Sequence, residues 1–392
     1  MVHNVSAAPA AIPDARRLLD VGEGAPTFCA PVLDDNPQFR FDRAAGPLIL
    51  MLFGGSGGWG PASDAIALVA RHAHLFDDKQ ASFFGVTVDP NDAAQGRIAR
   101  RLPGIRWFLD YDMAISRLYG AVQGESDTAN YRPYWLLLDT TMRMVMRAPI
   151  DQGERIFIVL AAMAAAGAEQ SSAPVLMVPR VFEPELCRRL IRLYEEHGGV
   201  DSGLASTRDG KTVTTINHTY KRRSDCPIAD ERLQLVLLDR MRRRLIPQIE
   251  RAFQYRPTRV ERWMVGCYDA AEKGFFRAHR DNTTAGTAHR AFACTINLNA
   301  EEFEGGELCF PEYGQRTYRA PTGGAIIFSC SLLHEAQPVT RGKRYTCLPF
   351  LYNEERARLR EANQVHIAGG GIYQAYPIGG STEAAQEDAS QS

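Results

Sequence analysis

No two cysteines in the chain are spaced as C-x-x-C, although eight stand at positions 29, 187, 226, 267, 294, 309, 330 and 347. That absence removes the dithiol redox motif and the paired-cysteine zinc knuckle. A chain of 392 residues has no need of disulfide staples, so its cysteines are expected to be reduced, small and apolar. Net charge is equally scarce. Forty-five Lys+Arg offset 46 Asp+Glu to leave −1, which argues against bulk binding of nucleic acid or another polyanion. Long apolar runs are missing too: PLILMLF (47–53), for one, is far too short to span a bilayer. The opening MVHNVSAAPAAIPDARRLLD has no apolar core of signal-peptide length. The expectation is a protein that touches neither membrane nor nucleic acid and resides in the cytoplasm.

What is present is enough to fold. Hydrophobic residues make up 45% and charged residues 23%, and the length suits two domains of ordinary size. The break falls in AAAGAEQSSAP (164–174), small and polar, which reads as a linker. We place a first domain at 15–165, the linker at 166–174, a second domain at 175–355 and a tail at 356–392. GGSTEAAQEDASQS (379–392) closes the chain with few large apolar residues, a composition expected to fray.

Ahead of the linker, strands and helices alternate. PLILMLF, ASFFGVTVD (81–89) and YWLLLD (134–139) read as strands. SDAIALVARHAHLF and IFIVLAAMAAA (156–166) read as helices, predicting a mixed sheet flanked by helices. Behind it, EPELCRRLIRLYEEHGG (183–199) is an amphipathic helix with an acidic first turn and a glycine stop. DERLQLVLLDRMRRRLIPQIERAF (230–253) is a second, kinked by Pro247, its RMRRR run forming a solvated face. From about 258 short strands dominate (VERWMVGCYD, AFACTINLN, ELCFPEY, GAIIFSC, RYTCLPFLY), predicting a jelly-roll barrel.

Within FRAHRDNTTAGTAHRAFACTINLN (276–299), residues i and i+2 of a strand share a side, so His279 and Asp281 aim an imidazole and a carboxylate into one space. His334, in FSCSLLHEAQPV, follows an apolar strand some fifty residues on. Two histidines and a carboxylate on one face of an ion leave the other positions open, as in non-haem Fe(II) oxygenases. Ten positions past His334, Arg344 offers a guanidinium to the interior, where its fork suits a bound carboxylate. His289 reads as a loop or wall residue, Arg280 as outward-facing, and Arg290 as a group able to meet a substrate carboxylate.

These stretches, together with YDAAEKGFFRAHRDN, EFEGGELCFPEYG and PTGGAIIFSCSLLHEAQPVTRGKRY, resemble the 2-oxoglutarate/Fe(II)-dependent dioxygenases of the prolyl 4-hydroxylase-like group. The resemblance covers roughly 175–355 and implies a double-stranded β-helix with supporting helices. By position it implies that His279, Asp281 and His334 hold Fe(II), that Arg344 pairs with the distal carboxylate of 2-oxoglutarate, and that Tyr268 donates a hydrogen bond to it. Thr295 and Asn297 either line the pocket or are polar groups satisfied within the barrel wall. It further implies O2 as second co-substrate, succinate and CO2 as products, and L-ascorbate as a supporting reductant. Retention of Asp281 favours hydroxylation over halogenation. The substrate is a peptide, prolyl-like side chain or a small molecule.

VGEGAPTFCAPVLDD (21–35) followed by PLILMLFGGSGGWGPASDA resembles the opening of a peroxiredoxin-type domain with a thioredoxin-like fold, over about 20–165. YRPYWLLLD resembles the Arg-Pro segment where that fold often carries a cis proline. A peroxidatic thiol belongs at the N-terminus of the helix after PLILMLF, yet GGSGGWGPASDA contains no cysteine. Cys29 precedes the strand and is expected to be packed. The front domain is therefore expected to be a scaffold, a substrate-presenting module or a homodimer surface. Two alternatives stand: a catalytically silent metal-binding barrel joined to a pseudo-redoxin, and a peroxidase working through Cys29.

Overall fold

The computed structural model describes residues 18–34, 37–41, 48–122, 130–166, 172–368 and 375–378. Part of the expected linker (167–171) and most of the expected tail (369–374 and 379–392) lie outside them. The chain divides into two compact units, Met1–Ser171 with Phe310–Arg316, and Ser172–Cys309 with Thr317–Ser392.

In the first unit, β1 (Leu48–Gly55), β2 (Ala81–Thr87), β3 (Ile105–Leu109), β4 (Tyr134–Leu138) and β5 (Met144–Pro149) form one sheet in the order β3-β2-β1-β4-β5. β1, β2 and β3 run parallel, and β4 and β5 antiparallel to their neighbours. This is the thioredoxin-like arrangement, with α1 (Gly60–Arg71) after β1 and α2 (Gly153–Ala166) after β5. β1 and β2 are buried at every position, which explains their unbroken apolar sequences. Leu48, Leu50 and Leu52 pack with Leu68 of α1 and Ile156, Phe157 and Leu160 of α2. The opposite side is aromatic, with Phe28, Phe41, Phe84 and Phe108 in mutual ring contact. Gly85 has no alternative in β2: a Cβ there would stand 2.1 Å from the Trp107 ring.

The cis proline expected at Arg132–Pro133 is not there. The cis bond among the described residues is Leu102–Pro103. Cys29 also departs from expectation. It is exposed, while its neighbour Ala30 is buried, because successive side chains of a strand face opposite ways.

In the second unit, α3 (Pro184–His197) begins with proline in its first turn and stops at Gly198, where φ is +72°. α4 (Glu231–Arg240) is capped by Asp230, whose carboxylate accepts from the amides of Arg232 and Leu233. The break expected at Pro247 is a π-helical turn, Met241–Leu245, after which α5 (Ile246–Phe253) restarts with Pro247 in its first turn. The RMRRR run is more than a solvated face. Arg240 and Arg244 both reach Glu183 at 2.8 Å, and Arg243 reaches Asp239 at 2.7 Å.

These helices bury Leu190, Leu237, Leu245 and Ile249 against Val265, Ile296, Ile327 and Cys347. Each such burial stabilises by roughly 1.5–3 kcal/mol. Seven of the eight cysteines are buried, and burial pushes the thiols of Cys187 and Cys347 up to about 12. They act as small apolar side chains.

The helices support a jelly roll of two antiparallel sheets. The larger contains β7 (Ser224–Pro227), β8 (Arg259–Glu261), β9 (Met264–Asp269), β11 (Phe292–Asn297), β15 (Lys343–Cys347) and β16 (Phe350–Tyr352), with β13 (Ala325–Ser329) paired to β11. The smaller runs β6 (Lys221–Arg222), β10 (Phe275–His279), β14 (His334–Ala336) and β12 (Leu308–Cys309). Gly323, in the turn before β13, has φ +73°, and a Cβ on it would stand 2.1 Å from the Phe182 carbonyl oxygen. No helix among the described residues is long and apolar enough to cross a membrane.

Candidate metal centre

His279 and His334 are register partners across β10 and β14, and their ring centroids stand 4.3 Å apart. Both are buried. His279 Nδ1 donates to the Arg277 carbonyl at 2.8 Å, and His334 Nδ1 to the Leu332 carbonyl at 3.0 Å. Each imidazole therefore keeps its Nε2 lone pair for another partner. Those nitrogens face one carboxylate: His279 Nε2 lies 3.5 Å from Asp281 Oδ1, and His334 Nε2 lies 3.4 Å from Asp281 Oδ2. One ligand atom from each residue lies within 4.8 Å of the others. β10 ends at His279, so Asp281 reaches the group from the following turn, where its amide donates to the Cys330 carbonyl.

Burial and the neighbouring His279 push the His334 imidazole down to about 4, so it stays neutral, as a ligand must. Burial favours the protonated form of Asp281, but His334 and His279 outweigh it and hold the carboxyl well below its usual range. Two Nε2 lone pairs and one ionised carboxylate, with room between them, fit a divalent first-row metal.

Arg344 and Tyr268 lie on the larger sheet, again as register partners, on β15 and β9. The Arg344 guanidinium carbon stands 5.2 Å from the Tyr268 ring centroid. Arg344 is buried, and its Nε donates to Asn297 Oδ1 at 3.4 Å. Its planar fork of N–H donors suits a carboxylate held bidentately. Asn297 is anchored in turn, its Nδ2 donating to the Ala320 carbonyl at 2.7 Å. Thr295 is buried two residues before it on β11.

The sequence missed three neighbours. Arg223 forks onto Asp225 at 2.6 and 2.7 Å, and its Nη1 donates to the Tyr268 hydroxyl at 3.4 Å. The Arg223 guanidinium carbon stands 5.7 Å from the same ring. Lys221, also buried, donates to Ser202 Oγ and the Gly203 carbonyl, both at 2.7 Å. Burial and Arg223 pull its ammonium below the usual lysine range, with Asp225 opposing. The available signal was alternation in KRRSD, which sets Lys221, Arg223 and Asp225 on one side of an extended chain.

Arg290 does not await a substrate carboxylate. Glu261 supplies one from within the barrel, at 2.6 Å from Nη2 and 3.1 Å from Nε, and also accepts from His289 at 2.5 Å. His289 is accordingly a wall residue outside the metal group. Arg280 donates outward to the Ser331 carbonyl.

With this geometry in view, residues 263–352 match the model of the 2OG-Fe(II) oxygenase superfamily. Similar proteins include a PKHD-type hydroxylase of Synechococcus sp. (strain JA-2-3B'a(2-13)), 27% identical over 183 residues, or 45% of this chain and 77% of the relative. Another is a PKHD-type hydroxylase of Verminephrobacter eiseniae, 28% identical over 192 residues, or 47% of this chain and 78% of the relative. Among solved structures, a Trichoplax adhaerens prolyl hydroxylase in complex with a peptide fragment aligns at 18% identity, TM-score 0.36, over 48% of this chain and 87% of its own. Mycobacterium tuberculosis peroxidoxin BcpB aligns at 14% identity, TM-score 0.31, over 37% of this chain and 98% of its own. The matched stretch, 263–352, spans Tyr268, His279, Asp281, His334 and Arg344.

The first unit lacks a thiol where a peroxiredoxin needs one. Trp59 precedes α1 and Pro61 sits in its first turn. The adjoining loop is held by internal partners. Ser56 Oγ donates to Asp89 at 2.7 Å, the Gly57 amide to Asp92 at 2.8 Å, and Arg97 bridges both carboxylates at 3.2 and 3.1 Å.

Proposed function

We propose that the second unit is a 2-oxoglutarate-dependent Fe(II) dioxygenase that hydroxylates a peptidyl, prolyl-like side chain or a small molecule, releasing succinate and CO2. The observation that carries this is the facing pair of Nε2 atoms above the Asp281 carboxylate, each imidazole fixed by its own Nδ1–H. His279, His334 and Asp281 would hold Fe(II), which when bound supplies O2 activation coupled to decarboxylation of the keto acid. Arg344 would fork onto the distal carboxylate of 2-oxoglutarate, oriented by Asn297 and by the Tyr268 ring, with the Tyr268 hydroxyl at hand for the same co-substrate. Thr295 would line the wall beside them. The buried strands around these groups exclude water, which strengthens the ionic contact.

In the first unit, the loop ahead of α1 is held by the carboxylates of Asp89 and Asp92 and carries no cysteine, which supports a scaffold, substrate-presenting or dimerisation role. Ascorbate as supporting reductant and a cytoplasmic location complete the proposal.

Anaerobic addition of Fe(II) and 2-oxoglutarate to the purified chain should give a visible metal-to-ligand charge-transfer band. Absence of the band with iron bound would favour the silent barrel. A screen of proline-containing peptides and small metabolites, read by succinate release with and without ascorbate, then assigns the substrate.

A further inference from the structure

Lys221 and Phe276 form a stack that ends on His279. β6 and β10 pair antiparallel with Lys221 opposite Phe276. The Lys221 ammonium stands 4.7 Å from the centroid of the Phe276 ring. That ring in turn stacks on the His279 imidazole, with centroids 3.5 Å apart and planes 21° from parallel. On a regular strand, residues three apart face opposite sides. The β10–β14 register shifts between Phe276 and His279, and such an irregularity lets one side chain be re-aimed to join the other.

The ammonium is itself held in place. Ser202 Oγ and the Gly203 carbonyl each accept from Lys221 at 2.7 Å. Ser202 also accepts from Arg223 at 3.0 Å and donates to Asp225. A fixed cation over an aromatic face is attracted to the ring and so holds the ring's position, more strongly when the pair is shielded from water.

The His279 imidazole has one remaining freedom, rotation of its plane. The Nδ1 bond to Arg277 fixes an edge, and the Phe276 ring fixes the plane against which that edge lies.

We propose that Lys221 is a positioning residue for the metal ligand His279, acting through the ring of Phe276. The inference rests on the metal-site reading given above. It assigns to β6 the task of aiming His279 Nε2 at the point it shares with His334 and Asp281.

The test uses the full apo chain and Co(II) as the probe, with affinity read from its visible d–d absorption. Lys221→Met and Phe276→Leu should each weaken Co(II) binding by roughly tenfold, the scale expected for groups that orient a ligand. The double variant should bind no more weakly than Phe276→Leu alone, since Lys221 acts through that ring. Lys221→Arg, which keeps the cation, should recover most of the affinity. Should Lys221→Met not fold, Ser202→Ala removes one of the two anchors and should weaken Co(II) in the same direction. Wild-type affinity in Lys221→Met, or additive losses in the double variant, would overturn the proposal. Failure of the unaltered chain to bind Co(II) would instead overturn the metal-site reading beneath it.

Discussion

The amide of Asp281 donates to the carbonyl of Cys330 at 2.9 Å. This bond ties the turn that carries the carboxylate to the segment leading from β13 towards His334. The carboxylate and the second histidine thus share a backbone anchor, although 53 positions separate them in sequence.

The candidate centre predicts an all-or-none response. His279→Ala, Asp281→Ala or His334→Ala should each abolish succinate formation and the anaerobic charge-transfer band, while melting of the apo chain changes little. A single-ligand variant that retains both signals would refute the ligand set.

Arg344 predicts a graded one. Replacing it by Met removes a charge-assisted contact of about 1.5–3 kcal/mol, or roughly ten- to a hundredfold in 2-oxoglutarate affinity. Fe(II) binding should be untouched. Titration of 2-oxoglutarate at saturating iron checks the point, and an unchanged dissociation constant would contradict the assigned role.

Asp225 predicts a pH dependence of stability. Burial alone would raise its pKa, but the Arg223 guanidinium holds it down at about 2, below the ordinary 3.8. A depressed carboxyl contributes stability that is present above its unfolded value and lost as pH falls through its folded value. Asp225→Asn strips a buried cation of its partner and should cost about 3–5 kcal/mol at neutral pH. The gap between variant and wild type should hold from pH 7 to 5 and narrow between about pH 4 and pH 2. Urea unfolding across that range would show it, and a gap independent of acidity would argue that Asp225 is not ionised in the folded chain.

Cys29→Ser should leave peroxide consumption unchanged. Cys29 is exposed, but it lies in the short strand Cys29–Ala30, away from the α1 N-terminus where a helix end would acidify it. A large loss of turnover would overturn that reading.

Much of the site was legible from strand patterns: Tyr268 and Arg344 lie on strands read from the sequence, His279 was reached by strand alternation, and His334 follows an apolar strand. What stayed hidden depends on partners far along the chain. Arg290 looks available until Glu261, 29 positions earlier, comes to lie beside it. Arg223 gains meaning only when β9 brings Tyr268 within reach. In the first unit, β3 (IRWFL) and β5 (MVMRAP) emerge from pairing with β2 and β4. The cis bond could not be placed from a Pro motif, since neighbouring structure rather than the dipeptide selects the isomer.

The two imidazoles hang from the smaller sheet, whereas Arg344 and Tyr268 hang from the larger. A molecule gripped at one end by the ion and at the other by the guanidinium would act as a crosslink between the layers. Its arrival should stiffen the barrel interior, and hydrogen exchange in β10 and β15 should slow together.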